Sequence, residues 1–131
     1  MNHFISLDQA IQMTTRFREN RDKVIVQDLA GKNILPIAET FDRAAFDALL
    51  AQRGCERLRI YYGMREDQQV HAIIVGVDTE GQDMLPSSAT PTNTTDLMLE
   101  TGPAGEGDAN VLVELAQRCP PDCGVTSPLN G

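Results

Sequence analysis

Three cysteines and two histidines are the side chains of this sequence with the widest capacity for chemistry. Cys119 and Cys123 are separated by three intervening residues, so their thiolates could bind one metal ion or close a local disulfide. A structural zinc site needs four ligands, and the other soft donors are Cys55, His71 and His3. Since no second cysteine pair is present, free cysteines in a turn are the main interpretation. A disulfide and a zinc site remain the alternatives.

His71 lies in an apolar stretch, where a histidine bonded to a neighbour is the main interpretation and a catalytic base is the alternative. A nucleophile–base pair of Cys55 and His71 would require a helix end to meet the second strand. The sequence contains no nucleophile elbow, metalloprotease motif or phosphate-binding loop. We therefore assign no catalytic residue and no cofactor. The sequence does not decide whether the protein is an enzyme, although it favours a protein without enzymatic activity.

A polar strand face supplies a second set of candidates. Arg57, Arg59 and Tyr61 alternate with apolar residues, so they are expected on one face, where they could bind an anion or a partner. The main interpretation is that these side chains face solvent and keep the sheet soluble, and binding is the alternative. Tyr61 and Tyr62 also border a candidate small-ligand pocket between the second helix and the sheet. The candidate binding residues are thus Arg57, Arg59, Tyr61, Tyr62 and His71.

Two helices are predicted to support these residues. Ser6 and Gln9 form a capping-box pattern ahead of an apolar stripe, which predicts a helix over 7–20. A second helix is predicted over 41–53, capped by Thr40 and ended by a glycine at position 54.

Three strands are predicted after the second helix. Residues 57–63 alternate in polarity and residues 69–78 are more apolar, with a polar turn at 64–68 between them. A short third strand at 83–86 would complete an antiparallel meander. The fold class is therefore α+β, with two N-terminal helices packed on this meander over residues 1–86.

The C-terminal part, residues 87–131, is predicted to be an irregular extension of the same single-domain protein. Residues 86–110 are rich in Pro, Gly, Ser, Thr and Asn, which is typical of a flexible linker. Residues 111–117 could form one or two helical turns. The exposed sheet edges expected from three strands favour a homodimer through edges or swapped tails.

The charge distribution narrows the class of partner. The net charge is −8, and residues 66–131 contain Arg118 as their single basic residue beside eleven acidic ones. Nucleic acids and anionic membranes are bound by clustered Lys and Arg, so neither is expected as a partner. The N-terminus does not resemble a secretory signal, which favours the cytoplasm and reduced thiols.

The sequence also carries distinctive segments: 35–41 (Leu-Pro-Ile-Ala-Glu-Thr-Phe), 59–64 (Arg-Ile-Tyr-Tyr-Gly-Met), 71–77 (His-Ala-Ile-Ile-Val-Gly-Val), and a tail with Cys-Pro-Pro-Asp-Cys at 119–123 and Ser-Pro-Leu-Asn at 127–130. These segments resemble a group of small uncharacterised bacterial proteins. The resemblance implies a protein that stands alone, with no activity to transfer.

We therefore expect a non-enzymatic binding or interaction protein with an unknown protein partner. A small thiol- or metal-dependent enzyme, or a zinc-binding module, is one alternative. A small-ligand binder is the other.

Overall fold

The computed structural model describes residues 2–87 and 110–131, and it confirms a mixed α+β chain with two α-helices and antiparallel sheets. The chain divides into two compact units. The first unit contains residues 2–40, 64–71 and 117–131, and the second contains 41–63, 72–87 and 110–116. Most of the predicted linker lies outside the described residues. None of the described helices has both the length and the apolar character needed to cross a membrane.

Helix α1 spans Leu7–Asn20, as predicted. The capping box is present in both directions, because the Ser6 side chain accepts from the Gln9 N–H and the Gln9 side chain accepts from the Ser6 N–H. These two bonds satisfy donors that a helix start otherwise leaves open. The helix has no fully buried residue, so the cap and the local sequence fix its start.

Two short strands form the sheet of the first unit. Strand β1, Ala38–Thr40, pairs antiparallel with β5, Gln117–Cys119, and places Glu39 directly opposite Arg118. The prediction that Thr40 caps the second helix is therefore wrong, because Thr40 belongs to β1. The predicted helical turns at 111–117 are also wrong, because this segment contributes to strands.

Helix α2 spans Arg43–Leu50, with Asp42 at its N-cap, and is shorter than the predicted 41–53. The chain is still extended at Asp42, and the helix ends before Gly54, whose φ of +89° is left-handed as expected for glycine. Phe41 therefore lies outside the helix, yet its ring packs against Phe46 with a centroid distance of 5.5 Å.

The three-stranded sheet has the order β2-β3-β4, in which β2 is Arg57–Met64, β3 is Val70–Val77 and β4 is Leu112–Val113. The predicted third strand at 83–86 is wrong, because the chain makes a single bridge there, between Val77 and Asp83. The short β4 pairs with β3 instead, from much later in the chain. That both helices cover one face of the sheet stays a prediction.

The core of the second unit lies where α2 meets β3 and β4. Its buried residues are Leu49, Ile74, Val111 and Val113, against which Phe41, Ala45, Phe46, Leu58 and Ala72 pack. Gln52 holds this core together, since its Nε2 donates to the Leu49 carbonyl and its Oε1 accepts from the Val111 N–H, both at 2.8 Å. The buried amide thus links the end of α2 to the segment that leads into β4.

Candidate functional site

Strand β2 is the main candidate for a binding surface. Among the described residues it has β3 on one side and no strand on the other. Leu58 reaches the core, but further along the strand Ile60 is 51% exposed and Tyr62 is 79% exposed. The aliphatic side chain of Ile60 and the aromatic side chain of Tyr62 therefore lie next to the backbone N–H and C=O groups along the edge of β2, with which a further strand could pair.

The short length of α2 limits how much of β2 it can cover. Eight helical residues span about 12 Å, whereas the eight residues of β2 span about 26 Å, so α2 can cover only part of the strand. Leu58 lies within the covered part and packs against the core. Side-chain alternation places Ile60 and Tyr62 on the same face as Leu58. This face therefore continues beyond the core as an exposed apolar surface.

The opposite face of β2 carries an ordered polar network. Arg59 Nη1 and Tyr61 Oη each donate to one carboxylate oxygen of Asp83, and Arg59 Nη2 also donates to the Gly81 carbonyl at 3.2 Å. The hydrogen bond with Tyr61 and the negative charge of Asp83 raise the pKa of Arg59 above its ordinary value. The structure therefore brings the predicted site residues Arg59 and Tyr61 together, but their common partner is Asp83 of the same chain rather than a ligand.

The other predicted residues of this strand are less engaged. Arg57 and Tyr62 are exposed, and Arg57 adjoins Cys55, whose thiol donates to the Arg57 carbonyl over 3.4 Å. Cys55 is a free thiol of intermediate exposure. The binding roles of these residues stay predictions.

His71 belongs to the first unit and lies in a buried cluster with Glu39 and Arg118, which we call the charged cluster. His71 Nδ1 is 4.0 Å from Glu39 Oε1, and the side chains of both residues are more than nine-tenths buried. Arg118 is also buried, and its Nη2 donates to the carbonyls of Asn33 and Ile34. The cluster thus ties β5 to the segment that precedes β1.

Burial lowers the pKa of Arg118, and the nearby charge of Glu39 opposes this shift. A base whose pKa falls on folding carries a cost in stability wherever it stays protonated, and this cost disappears only at pH values above its unfolded pKa. Arg118 therefore needs its compensating groups throughout the ordinary pH range. Because these groups are buried, the charged cluster is better suited to holding the unit together than to meeting a substrate.

Cys119 and Cys123 are joined in a disulfide, with their Cα atoms 4.6 Å apart. The main interpretation, free cysteines in a turn, is therefore wrong for this pair, and the expectation of reduced thiols is wrong for these two of the three cysteines. Neither sulfur is available as a thiolate ligand while the bond exists. Within residues 2–87 and 110–131, no three His, Cys, Asp or Glu side chains are grouped so as to hold a metal ion.

The disulfide also bears on the compartment. Such bonds persist mainly in oxidising environments. This observation weighs against the cytoplasmic expectation, which stays a prediction.

Sequence reasoning missed Glu39, Arg118 and Asp83 as partners of the predicted residues. One signal was present for Arg118, which is the single basic residue of an acidic half and precedes a cysteine.

Comparison of the chain with family models, curated proteins and solved structures finds no match in any of the three.

Proposed function

We propose that this chain is a non-enzymatic binding protein that accepts a strand of a protein partner along the edge of β2 that no strand of residues 2–87 or 110–131 covers. The observation that carries the proposal is the eight-residue edge strand with Ile60 and Tyr62 exposed beside it. Strand addition draws affinity from main-chain hydrogen bonds and specificity from alternate side chains. Strand β2 offers both.

The polar network supports this proposal. Charged side chains on an edge strand normally discourage pairing. Here the charge of Arg59 is offset by Asp83, and Tyr61 is fixed on the same carboxylate. The edge is therefore less strongly protected than its two arginines suggest, and the strand needs little reordering before it binds.

The alternatives have less support. A thiol- or metal-dependent activity would draw on Cys55, His71, Cys119 and Cys123. The disulfide occupies the last two of these side chains, and His71 is buried beside Glu39. The other alternative is a ligand pocket between α2 and the sheet, near Tyr61 and Tyr62. That space is occupied by core side chains, including Phe46 and Leu49, while Tyr62 is largely exposed.

Affinity capture with matched variants tests the proposal. Ile60→Lys places a charge at the centre of the exposed strand, whereas Val125→Lys places the same charge at a residue that is 90% exposed in the tail. We expect wild type and Val125→Lys to capture the same protein partner and Ile60→Lys to lose it. Equal capture by all three proteins, with equal thermal stability, would contradict binding through β2.

A further inference from the structure

We infer that the strand that pairs with β2 is β2 of a second copy of this chain, related by a two-fold axis that passes between the two Ile60 residues. The inference rests on the proposed binding role of β2 and names its partner. A two-fold axis perpendicular to the sheet makes neighbouring strands antiparallel and keeps the same face of each copy on the same side. Each register of a β2–β2 pair can therefore be judged by the side chains that it places opposite each other.

The apolar face is self-complementary in this register. Ile60 faces Ile60, and Leu58 faces Tyr62 in both directions. Directly opposite side chains in an antiparallel pair have Cβ atoms roughly 4.5–5.5 Å apart, and aromatic–aliphatic pairs stabilise such sheets. The pairing would cover Ile60 and Tyr62, which the core of a single chain leaves exposed.

The polar face is complementary as well. Arg59 faces Tyr61 of the other copy, and Arg57 faces Gly63, so no two arginines are directly opposed. A guanidinium beside a tyrosine ring gains a cation–π attraction. Asp83 already offsets the charge of Arg59 within each chain, which lowers the repulsion between the two strands.

Neighbouring registers are less favourable because of charge. An axis at Leu58 sets Arg57 opposite Arg59, and an axis at Arg59 sets that residue opposite itself. An axis at Tyr61 sets Arg57 opposite Arg65 at the end of the pairing. Like charges directly opposite each other destabilise a sheet. The register centred on Ile60 avoids all three arrangements and still pairs seven residues of each strand.

Electrostatics also predicts how the dimer responds to salt. Each chain carries a net charge of −8, so two copies repel each other at long range. Salt screens this repulsion, with a Debye length of about 10 Å at 0.1 M ionic strength. Dimerisation should therefore strengthen as salt is added. A pairing of seven residues is also a small interface, so the association has to be followed over a wide range of protein concentration.

Cysteine cross-linking of the full chain tests both the dimer and its register. In a Cys55→Ser background, Ile60→Cys places two thiols opposite each other, close to the Cβ separation of roughly 3.5–4.5 Å that a disulfide requires. Tyr62→Cys is the matched control on the same face, since its copies would lie ~14 Å apart. We expect air oxidation to give a cross-linked dimer with Ile60→Cys and a monomer with Tyr62→Cys on a non-reducing gel.

Sedimentation of the wild type provides the second measurement. A concentration-dependent dimer that Ile60→Lys abolishes and Val125→Lys preserves supports the inference. A wild type that stays monomeric, or equal cross-linking of the two cysteine variants, overturns it. If the chain is monomeric but captures a foreign partner that depends on Ile60, the dimer is refuted and the proposed function stands. If Ile60→Lys changes neither association nor capture, both fail.

Discussion

The strongest quantitative prediction concerns Gln52 and Gly76 in the core of the second unit. A Cβ added at Gly76 would lie 2.6 Å from Gln52 Nε2 and 3.1 Å from Cys55 Sγ. The Gln52 amide would have to move by most of an ångström, although it is buried and both of its polar atoms are hydrogen-bonded. Gly76→Ala should therefore act largely through Gln52, and a double-mutant cycle can show this.

The expected magnitudes follow from the bonds that are lost. In Gln52→Ala, the buried Val111 N–H loses its acceptor at a cost of about 1–3 kcal/mol, and the Leu49 carbonyl loses a bond worth about 0.5–1.5 kcal/mol. Gly76→Ala should cost about 1–3 kcal/mol from overpacking. Once Gln52 is removed, the main clash at Gly76 disappears. The double variant should then be more stable than the sum of the single effects predicts, by at least 1 kcal/mol or so.

Urea unfolding of the four proteins measures this coupling, since the midpoint and slope give each free energy of unfolding. Gln117→Ala is the matched control, because Gln117 is exposed and belongs to the other unit. Its effect should add to that of Gly76→Ala within about 0.5 kcal/mol. If the Gln52 and Gly76 effects also add within that margin, the close approach does not limit packing at Gly76 and the reasoning is refuted.

Two predictions concern the first unit. Glu39→Ala should lower the free energy of unfolding by about 3–5 kcal/mol, because Arg118 then keeps a buried charge without its compensating carboxylate. The double variant Glu39→Ala/Arg118→Met should recover much of this loss. Urea unfolding that shows no recovery in the double variant would contradict this. Cys123→Ser should cost roughly 2 kcal/mol under non-reducing conditions, because the disulfide to Cys119 closes a short loop. Unchanged thermal stability of that variant would argue against a bonded pair in solution.

The elements that could be predicted from sequence are those whose signal is local. Ser6 and Gln9 are three residues apart and identify the start of α1 without reference to the rest of the chain. The β2–β3 hairpin follows from alternating polarity on either side of a polar turn. In these segments, the residues whose sequence pattern predicts the element also form the hydrogen bonds or strand pairs within it.

Strands β1, β4 and β5 could not be predicted in the same way. Each has two or three residues, too few to show a period of two. Their pairing partners lie far away in the sequence. Thr40, for example, pairs with residues of 117–119 and forms part of a strand, although its neighbours in the sequence favour the start of a helix. The charged cluster depends on the same pairing, because Glu39 and Arg118 become neighbours only when β1 and β5 align.

The binding surface on β2 shows a further reason why pattern alone falls short. Alternation predicts Leu58, Ile60 and Tyr62 on one face of a half-buried strand, with Arg59 and Tyr61 on its polar face. A pattern states which side chains share a face, but burial also depends on how much of that face a neighbouring element covers. Leu58 packs against the core that α2 helps to form, whereas Ile60 and Tyr62 further along β2 stay exposed. This partial cover depends on elements outside β2, so the alternating pattern of the strand alone could not reveal the exposed surface.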